Sequence, residues 1–228
     1  MSFKAHAVAI VHGTPATPTD FVTQNTAEVY LDGTTSCSGV LVDQDVVVTA
    51  GHCANANPTP IFARFGISPA TERYDIKGAK TNPGCNGDDH DIGVVVLKTQ
   101  VSKRWSPVPI LPTEVKVSVG DAVLVAGYGN RFELGTWPPE LNQIVLKVLD
   151  PAYGVDSALL DQREGKGACY GDSGGPAFVS WNNKVYLWAT VSGTIDSNLR
   201  CHGRARFVRV AENLNWIREA VTQIRNDL

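Results

Sequence analysis

The chain has 228 residues, of which 43% are hydrophobic and 19% charged, so it is long enough to bury a substantial core. This composition is typical of a folded protein rather than a disordered one. The net charge is −3 and the 20 Lys and Arg residues are dispersed, which argues against a nucleic-acid partner. No apolar run approaches the roughly 18–20 residues that a membrane-spanning helix needs, so we expect no membrane partner.

Residues 1–9 are predicted to be an N-terminal extension or the remnant of a propeptide. The apolar run at 5–11 is interrupted by His6 and is too short for a complete signal peptide. Ala5-His6-Ala7 nevertheless resembles the small-residue end of a signal cleavage site.

Short β-branched runs, separated by Gly, Pro, Asn and Asp, follow one another through the chain. Strands at this spacing, with no helical pattern between them, predict antiparallel barrels or sandwiches. Turn-forming residues at 43–45 and 182–183 predict hairpins. The runs are SGVLVD (38–43), VVVTAG (46–51), IFARFG (61–66), IGVVVL (92–97), AVLVAGYG (122–129), QIVLKVL (143–149), PAFVSW (176–181), KVYLWATV (184–191) and ARFVRV (205–210).

A proline-bearing stretch at 106–120 is the predicted crossover between two strand-rich halves. We place the first half at 10–113 and the second at 114–210. Apolar residues at helical spacing then predict a helix within 211–228.

Five cysteines occur at positions 37, 53, 85, 169 and 201, and none forms a C-x-x-C pair, which makes a zinc ribbon or thioredoxin-type motif a poor fit. Two pairs, with separations of 16 and 32 residues, could close disulfide loops in an oxidising compartment. Buried free thiols in a reducing compartment are the alternative. Cys85 is left over in either case.

Ser173 lies in GKGACYGDSGGPAF (165–178), a stretch with too many flexible residues for an ordinary strand or helix. A serine hydroxyl is a poor nucleophile unless a base lies beside it and an acid orients that base. Among the five histidines, His52 ends the apolar run at 46–51 and is placed at the edge of a strand. A structural role for a lone histidine remains the alternative.

The acid is sought in GDDHDIGVVVL (87–97). Asp91 directly precedes the apolar run, so it can be desolvated and directed at an imidazole N–H, whereas Asp88 and Asp89 lie in a polar loop. His90 is interpreted as a loop residue.

The blocks VVVTAGHC, DDHDIGVVVL and GACYGDSGGPAF, in this order, resemble the three active-site blocks of trypsin- and chymotrypsin-like serine proteases. IVHGTPAT (10–17) is similar to the mature amino terminus of that family, and VAGYGN (125–130) and the helix around Trp216-Ile217 also match. The resemblance covers residues 10–225 and implies an all-β fold of two packed antiparallel six-stranded Greek-key barrels with a C-terminal helix.

The resemblance implies a serine endopeptidase in which Ser173 is the nucleophile, His52 the general base and Asp91 the residue that holds the imidazole tautomer. The backbone N–H groups of Gly171 and Ser173 would form the oxyanion hole. It also implies the disulfides Cys37–Cys53 and Cys169–Cys201. The triad chemistry needs no cofactor, and we expect no metal.

For the specificity pocket, the resemblance points to residues on two segments: Gly167, Ala168, Ser192, Gly193, Thr194 and Ala205. Gly167 stands where trypsin-like enzymes have an aspartate, so basic side chains are disfavoured and small to medium apolar ones favoured. An inward turn of Arg200, Arg204 or Arg206 would instead favour acidic side chains.

For activation, the resemblance implies that cleavage frees the amino group of Ile10, which then pairs with Asp172. His12 stands where the family has glycine, and Ala9 replaces the usual Arg or Lys before the cleavage site. We therefore expect activation by a protease that cleaves after a small residue, either a separate protease or this chain itself. The chain beginning at Met1 is expected to be zymogen-like, with Asp172 lacking its ammonium partner.

Three alternatives remain open. Gly171-x-Ser173-x-Gly175, with Asp196 and His202, also fits an α/β-hydrolase, although that fold needs a helix after the serine. A non-catalytic binding protein on the same scaffold and an esterase are the others. We otherwise expect a secreted or periplasmic monomer that acts on protein or peptide substrates.

Overall fold

The computed structural model describes residues 10–31, 36–55, 59–129, 140–196, 201 and 203–227. Six antiparallel strands close the first barrel in the order β2-β3-β4-β7-β6-β5. Their bounds are β2 Thr26–Tyr30, β3 Ser36–Asp43, β4 Val46–Thr49, β5 Phe62–Phe65, β6 Glu72–Thr81 and β7 Gly93–Leu97.

The second barrel follows the order β9-β10-β13-β12-β11-β8, and a β8–β9 pairing closes it. The short strand β1, Thr14–Pro15, pairs with the first two residues of β9, Asn142 and Gln143. The barrel strands are β8 Ala122–Gly127, β9 Asn142–Tyr153, β10 Ser157–Gln162, β11 Pro176–Trp181, β12 Lys184–Thr194 and β13 Gly203–Arg209.

Hairpin turns connect neighbouring strands where turn-forming residues interrupt the apolar runs. Asn182 and Asn183, with φ of 48° and 59°, join β11 to β12. Two consecutive positive φ values define the turn whose twist matches that of the flanking strands, and Asn tolerates them. The turn at 44–45 likewise joins β3 to β4.

The chain ends in helix α2, Leu214–Asn226, which follows a 3₁₀ turn at Ala211–Asn213. Ile217, Val221 and Ile224 on one face of α2 join a core cluster that also contains first-barrel residues such as Val94 and second-barrel residues such as Phe178. The helix therefore follows the second barrel in sequence but packs on β6 and β7 of the first. Each barrel also has its own apolar core.

The fold prediction is confirmed: two closed six-stranded antiparallel barrels are followed by a helix. The segment at 106–120 connects them and forms one bridge, Ile110 to Leu187. Strands β2, β6 and β10 were not predicted, because polar or charged residues interrupt their apolar sequences. In the part of the chain that the structure describes, no helix has the length and apolarity to cross a membrane.

Candidate active site

His52 lies just beyond strand β4, whose four residues are all buried. The short helix α1, Gly51–Ala54, follows and contains His52 between two buried residues. A disulfide joins Cys53 of α1 to Cys37 of β3. These contacts fix the backbone, while the His52 side chain is 49% exposed.

His52 is held by Asp91 at the entry of β7. The Nδ1 atom of His52 lies 2.9 Å from Oδ2 and 3.1 Å from Oδ1 of Asp91, and the backbone N–H of His52 donates to Oδ1 over 2.9 Å. An ionised carboxylate only accepts hydrogen bonds, so Nδ1 carries the proton. The opposite ring nitrogen, Nε2, is then the one available to a substrate or a nucleophile.

Asp91 is only 2% exposed and accepts from two further side chains. Ser192 Oγ–H donates to Oδ2 over 2.7 Å, and the thiol of the free Cys85 lies 3.7 Å from Oδ1. Burial alone would raise the pKa of Asp91, but the hydrogen bonds from His52 and Ser192 and the charge of His52 hold it below its ordinary value. Burial raises the pKa of the Cys85 thiol, which keeps its proton.

The other candidates in the acidic loop point away from His52. His90 Nδ1 lies 3.0 Å from Oδ2 of the buried Asp156 in the second barrel. Asp88 is largely exposed and pairs with Arg206. Asp91 is therefore the acid that reaches the imidazole.

Ser173 is half-buried on a loop whose backbone is shaped by glycine. Gly171 and Gly174 have φ of 90° and 81°, in the region that favours glycine. A Cβ at Gly174 would lie 2.1 Å from Oγ1 of Thr49, so this loop packs against the first barrel without room for a side chain. A disulfide between Cys169 and Cys201 ties the loop to the opposite wall of the site.

A cavity of about 290 Å³ is lined by both His52 and Ser173. The predicted base and the predicted nucleophile, one from each barrel, thus line the same cavity. Four of the six predicted pocket residues also line the cavity: Ala168, Ser192, Gly193 and Thr194.

Gly167 and Ala205 do not line the cavity. Gly167 has a φ of 150°, and a Cβ there would lie 2.3 Å from the side chain of Gln162. Ala205 is buried on β13, where it pairs with Thr194 of β12. Gln162 lines the cavity instead and is 1% exposed.

The Gln162 amide makes three hydrogen bonds at this position. Its Nε2 donates to the carbonyls of Ala168 and Cys201, at 3.2 and 3.1 Å, and its Oε1 accepts from the N–H of Ala168 at 2.7 Å. Among the described residues that line the cavity, none carries a carboxylate. Gln162 lies on β10, a strand that the sequence patterns did not reveal, so local sequence gave no signal for it.

Two of the three nearby arginines are engaged outside the cavity. Arg204 pairs with Asp196, with Nη2 and Oδ1 2.7 Å apart. Arg206 is buried and contacts Asp88, the carbonyl of Gly87 and, at 3.4 Å, Ser192 Oγ. Neither lines the cavity, and Arg200 lies outside the described residues. The structure therefore gives no support to an acid-binding pocket built on Arg204 or Arg206.

The predicted activation residues, Ile10 and Asp172, are both buried in the second barrel. Val11 forms a bridge with Gly167, and His12 takes a φ of 56° while its Nδ1 lies 3.0 Å from the carbonyl of Gly165. The Asp172 carboxylate accepts from the N–H groups of Gly129 and Cys169 at 2.8 and 2.9 Å. Burial raises its pKa to about 7, against the effect of these two bonds.

The α/β-hydrolase alternative does not fit the structure. Strand β11, not a helix, follows Ser173, and Asp196 is paired with Arg204. His202 lies outside the described residues. A metal site at Cys37, His52 and Cys53 is also a poor fit, since both sulfur atoms are bonded to each other.

Comparisons with known proteins agree with this architecture. The family model described as Trypsin matches residues 10–217. The chain is 28% identical to a vitellin-degrading protease of Bombyx mori over 86% of this chain and 80% of that protein. It is 29% identical to transmembrane protease serine 11G of Rattus norvegicus, over 92% of this chain and 54% of that protein. It is 27% identical to phenoloxidase-activating factor 3 of Holotrichia diomphalia, over 81% of this chain and 64% of that protein. The chain therefore spans only about half to two thirds of the length of the last two relatives.

Proposed function

Because the chain belongs to the trypsin family of serine proteases, we propose that it is a serine endopeptidase in which Ser173, His52 and Asp91 form a catalytic triad. The observation that carries this proposal is the pairing of His52 Nδ1 with the buried Asp91, beside a cavity that Ser173 also lines. With Nδ1 committed to Asp91, Nε2 is left to exchange a proton with the serine hydroxyl.

The proposed reaction proceeds in two halves. Nε2 of His52 accepts the Ser173 proton as Oγ forms a bond to the substrate carbonyl carbon, and the imidazolium then protonates the leaving amine as the peptide C–N bond breaks. Water attacks the resulting acyl-enzyme by the same route and releases the acid. Asp91 stabilises the imidazolium throughout, and its lowered pKa keeps it ionised.

The N–H groups of Gly171 and Ser173 are assigned to the oxyanion hole. Negative charge develops on the substrate oxygen in the tetrahedral intermediate, and two backbone donors directed at that oxygen stabilise it. The positive φ of Gly171 supports this assignment, because such a backbone conformation is easily reached only by glycine.

We assign small to medium apolar residues to the position before the scissile bond. Gln162 closes the cavity beside Ala168 and carries no charge; both Nε2 hydrogens donate to backbone carbonyls and Oε1 already accepts one hydrogen bond. A Lys or Arg side chain would be desolvated without a carboxylate to pair with.

For activation we propose cleavage between Ala9 and Ile10. The φ of 47° at Ile10 is strained for a β-branched residue, and cutting the peptide bond removes that constraint. The new ammonium would also give the buried Asp172 the cationic partner that its described contacts with Gly129 and Cys169 do not provide. An activating protease that cleaves after small residues is the implied partner.

The two disulfides support an oxidising location, secreted or periplasmic. We propose that the chain acts there as a monomer on proteins or peptides. Esterase activity would use the same triad.

The test is hydrolysis of a peptide series that differs only in the residue before the scissile bond. The chain trimmed to begin at Ile10 should prefer Ala, Val or Leu over Lys by about 100-fold in kcat/KM. Ser173→Ala should lower kcat by about 10⁴-fold or more. Turnover that stays near the wild-type rate in Ser173→Ala would overturn the triad, and a preference for Lys, Arg or Glu would overturn the pocket assignment.

A further inference from the structure

Ser38 of β3 lies directly behind the nucleophile loop and is completely buried. Its backbone N–H donates to the carbonyl of Ser173 over 2.8 Å. Its hydroxyl lies between two backbone groups of the second half of the chain, accepting from the N–H of Tyr128 at 2.9 Å and donating to the carbonyl of Gly171 at 3.0 Å. Ser38 thus joins the first barrel to two separate segments beyond it.

The direction of these hydrogen bonds is fixed by chemistry. An amide N–H only donates and a carbonyl only accepts, so the Ser38 hydroxyl has a single orientation that satisfies both partners. The Gly171 carbonyl belongs to the peptide group between residues 171 and 172. That peptide lies between the two N–H groups assigned to the oxyanion hole, those of Gly171 and Ser173.

We propose that Ser38 is a positioning residue for the oxyanion hole: its hydroxyl holds the Gly171 carbonyl away from the cavity and so directs the neighbouring N–H groups into it. This inference rests on the proposed peptidase function. Gly171 has a φ of 90° and no side chain to restrict rotation of its peptide groups, so hydrogen bonds must restrict them. Within the loop, the N–H of Asp172 donates to the carbonyl of Cys169 over 3.0 Å, and the Ser38 hydroxyl holds the Gly171 carbonyl from outside the loop. Loss of the hydroxyl would remove these hydrogen bonds from the partly buried Gly171 carbonyl and the buried Tyr128 N–H.

The kinetic test compares Ser38→Ala with Ser157→Ala. Ser157 is a matched control, because it is also a buried serine on a strand but its hydroxyl has no hydrogen-bond partner. Ser38→Ala should lower kcat about tenfold with KM changed less than about twofold, since oxyanion contacts act on the transition state. Ser157→Ala should leave both parameters unchanged.

The pH profile distinguishes an effect on the oxyanion hole from a wider disturbance of the active site. The His52–Asp91 pair does not contact Ser38, so the acidic limb of kcat/KM against pH should stay in place in Ser38→Ala. Ser38→Cys preserves the size of the side chain with a weaker donor and should lose about threefold in kcat. This variant carries the test if Ser38→Ala does not fold.

A second readout needs no turnover. Residue-resolved amide exchange should become about tenfold faster at Tyr128, whose N–H loses its acceptor in Ser38→Ala, with Val95 of the first barrel unchanged as an internal reference. Unchanged exchange and unchanged kcat would overturn the inference, as would faster exchange with normal kcat. If the wild-type chain hydrolyses no peptide while Ser38→Ala still shows the faster exchange, the proposed function is contradicted and the Ser38 contact is supported.

Discussion

The two barrels contribute halves of the site that are built in different ways. In the first barrel, His52 on the short helix α1 and Asp91 at the entry of β7 contribute side chains, and the carboxylate is surrounded by donors from His52 and Cys85 and from Ser192 of the second barrel. In the second barrel, the functional groups around Ser173 are largely backbone N–H groups on a glycine-rich loop.

The two halves therefore differ in what holds their functional groups in position. A side-chain pair is aligned by its own hydrogen bonds and by the core beneath it. A glycine loop has little intrinsic conformational preference, so it depends on links to other segments: the Cys169–Cys201 disulfide, the Ser38 hydroxyl and the hydrogen bond from the N–H of Gly129 to Asp172. We therefore expect substitutions in the two halves to affect different quantities.

Asp91→Asn should have a larger effect on kcat than the disulfide and Asp172 variants below, because it disrupts the His52–Asp91 pair of the first barrel. The asparagine amide donates where the carboxylate accepted, so Nδ1 of His52 loses its proton, Nε2 gains one, and the ring can no longer accept the Ser173 proton. We expect kcat to fall about 10³–10⁴-fold, measured by steady-state peptide hydrolysis.

Asp89→Asn is the matched control in the same loop, and its kcat should stay within about twofold of the wild-type value. If Asp91→Asn kept more than a tenth of wild-type kcat, the alignment of His52 by Asp91 would not matter for catalysis.

The two disulfides should differ in their kinetic effects. Replacing Cys169 and Cys201 by alanine should lower the free energy of unfolding by about 4 kcal/mol, and replacing Cys37 and Cys53 by about 3 kcal/mol, because the first pair closes the longer loop. Cys169 and Cys201 line the cavity, so their loss should raise KM severalfold. Cys53 follows His52 directly, so its loss should mainly lower kcat.

Denaturant unfolding and steady-state kinetics on the two double variants measure these changes. Identical shifts in kcat and KM for both disulfides would contradict the division between the halves.

Asp172 should make the untrimmed chain less stable as pH rises. Its folded pKa of about 7 exceeds the ordinary value of 3.8, so the folded state binds the proton more tightly than the unfolded state. The resulting stability is complete below about pH 4 and is lost as pH rises through 7, with a loss of about 2 kcal/mol between pH 5 and pH 7. Glu28, whose pKa burial raises to about 7, adds a loss of the same sign.

Asp172→Asn should remove the Asp172 contribution to the decrease in the free energy of unfolding between pH 5 and pH 7. The exposed control Asp227→Asn should leave that decrease unchanged. Trimming the chain to begin at Ile10 should remove the Asp172 contribution as well, because the ammonium stabilises the ionised carboxylate. If denaturant unfolding gave the same pH dependence of the free energy of unfolding for the trimmed and untrimmed chains, the assigned Ile10–Asp172 pair would be contradicted.

The sequence predicted the fold class because strands such as β4 and β7 are continuous apolar runs with clear turns beside them. It indicated His52, Asp91 and Ser173 because each lies in a distinctive local block. Ser38 and Gln162 could not be found in the same way. Ser38 reaches Gly171 from 133 positions away, and the role of Gln162 depends on the approach of β10 to Gly167. Such contacts arise only when the strands pair.

Covalent labelling by a fluorophosphonate tests the central claim most directly, because the reagent reacts with a serine only when a base and an oxyanion hole activate it. On the chain trimmed to Ile10, mass spectrometry should find one adduct per molecule, on Ser173, and no adduct in His52→Ala. A folded, trimmed chain that stays unlabelled, or that is labelled at another residue, would contradict the account.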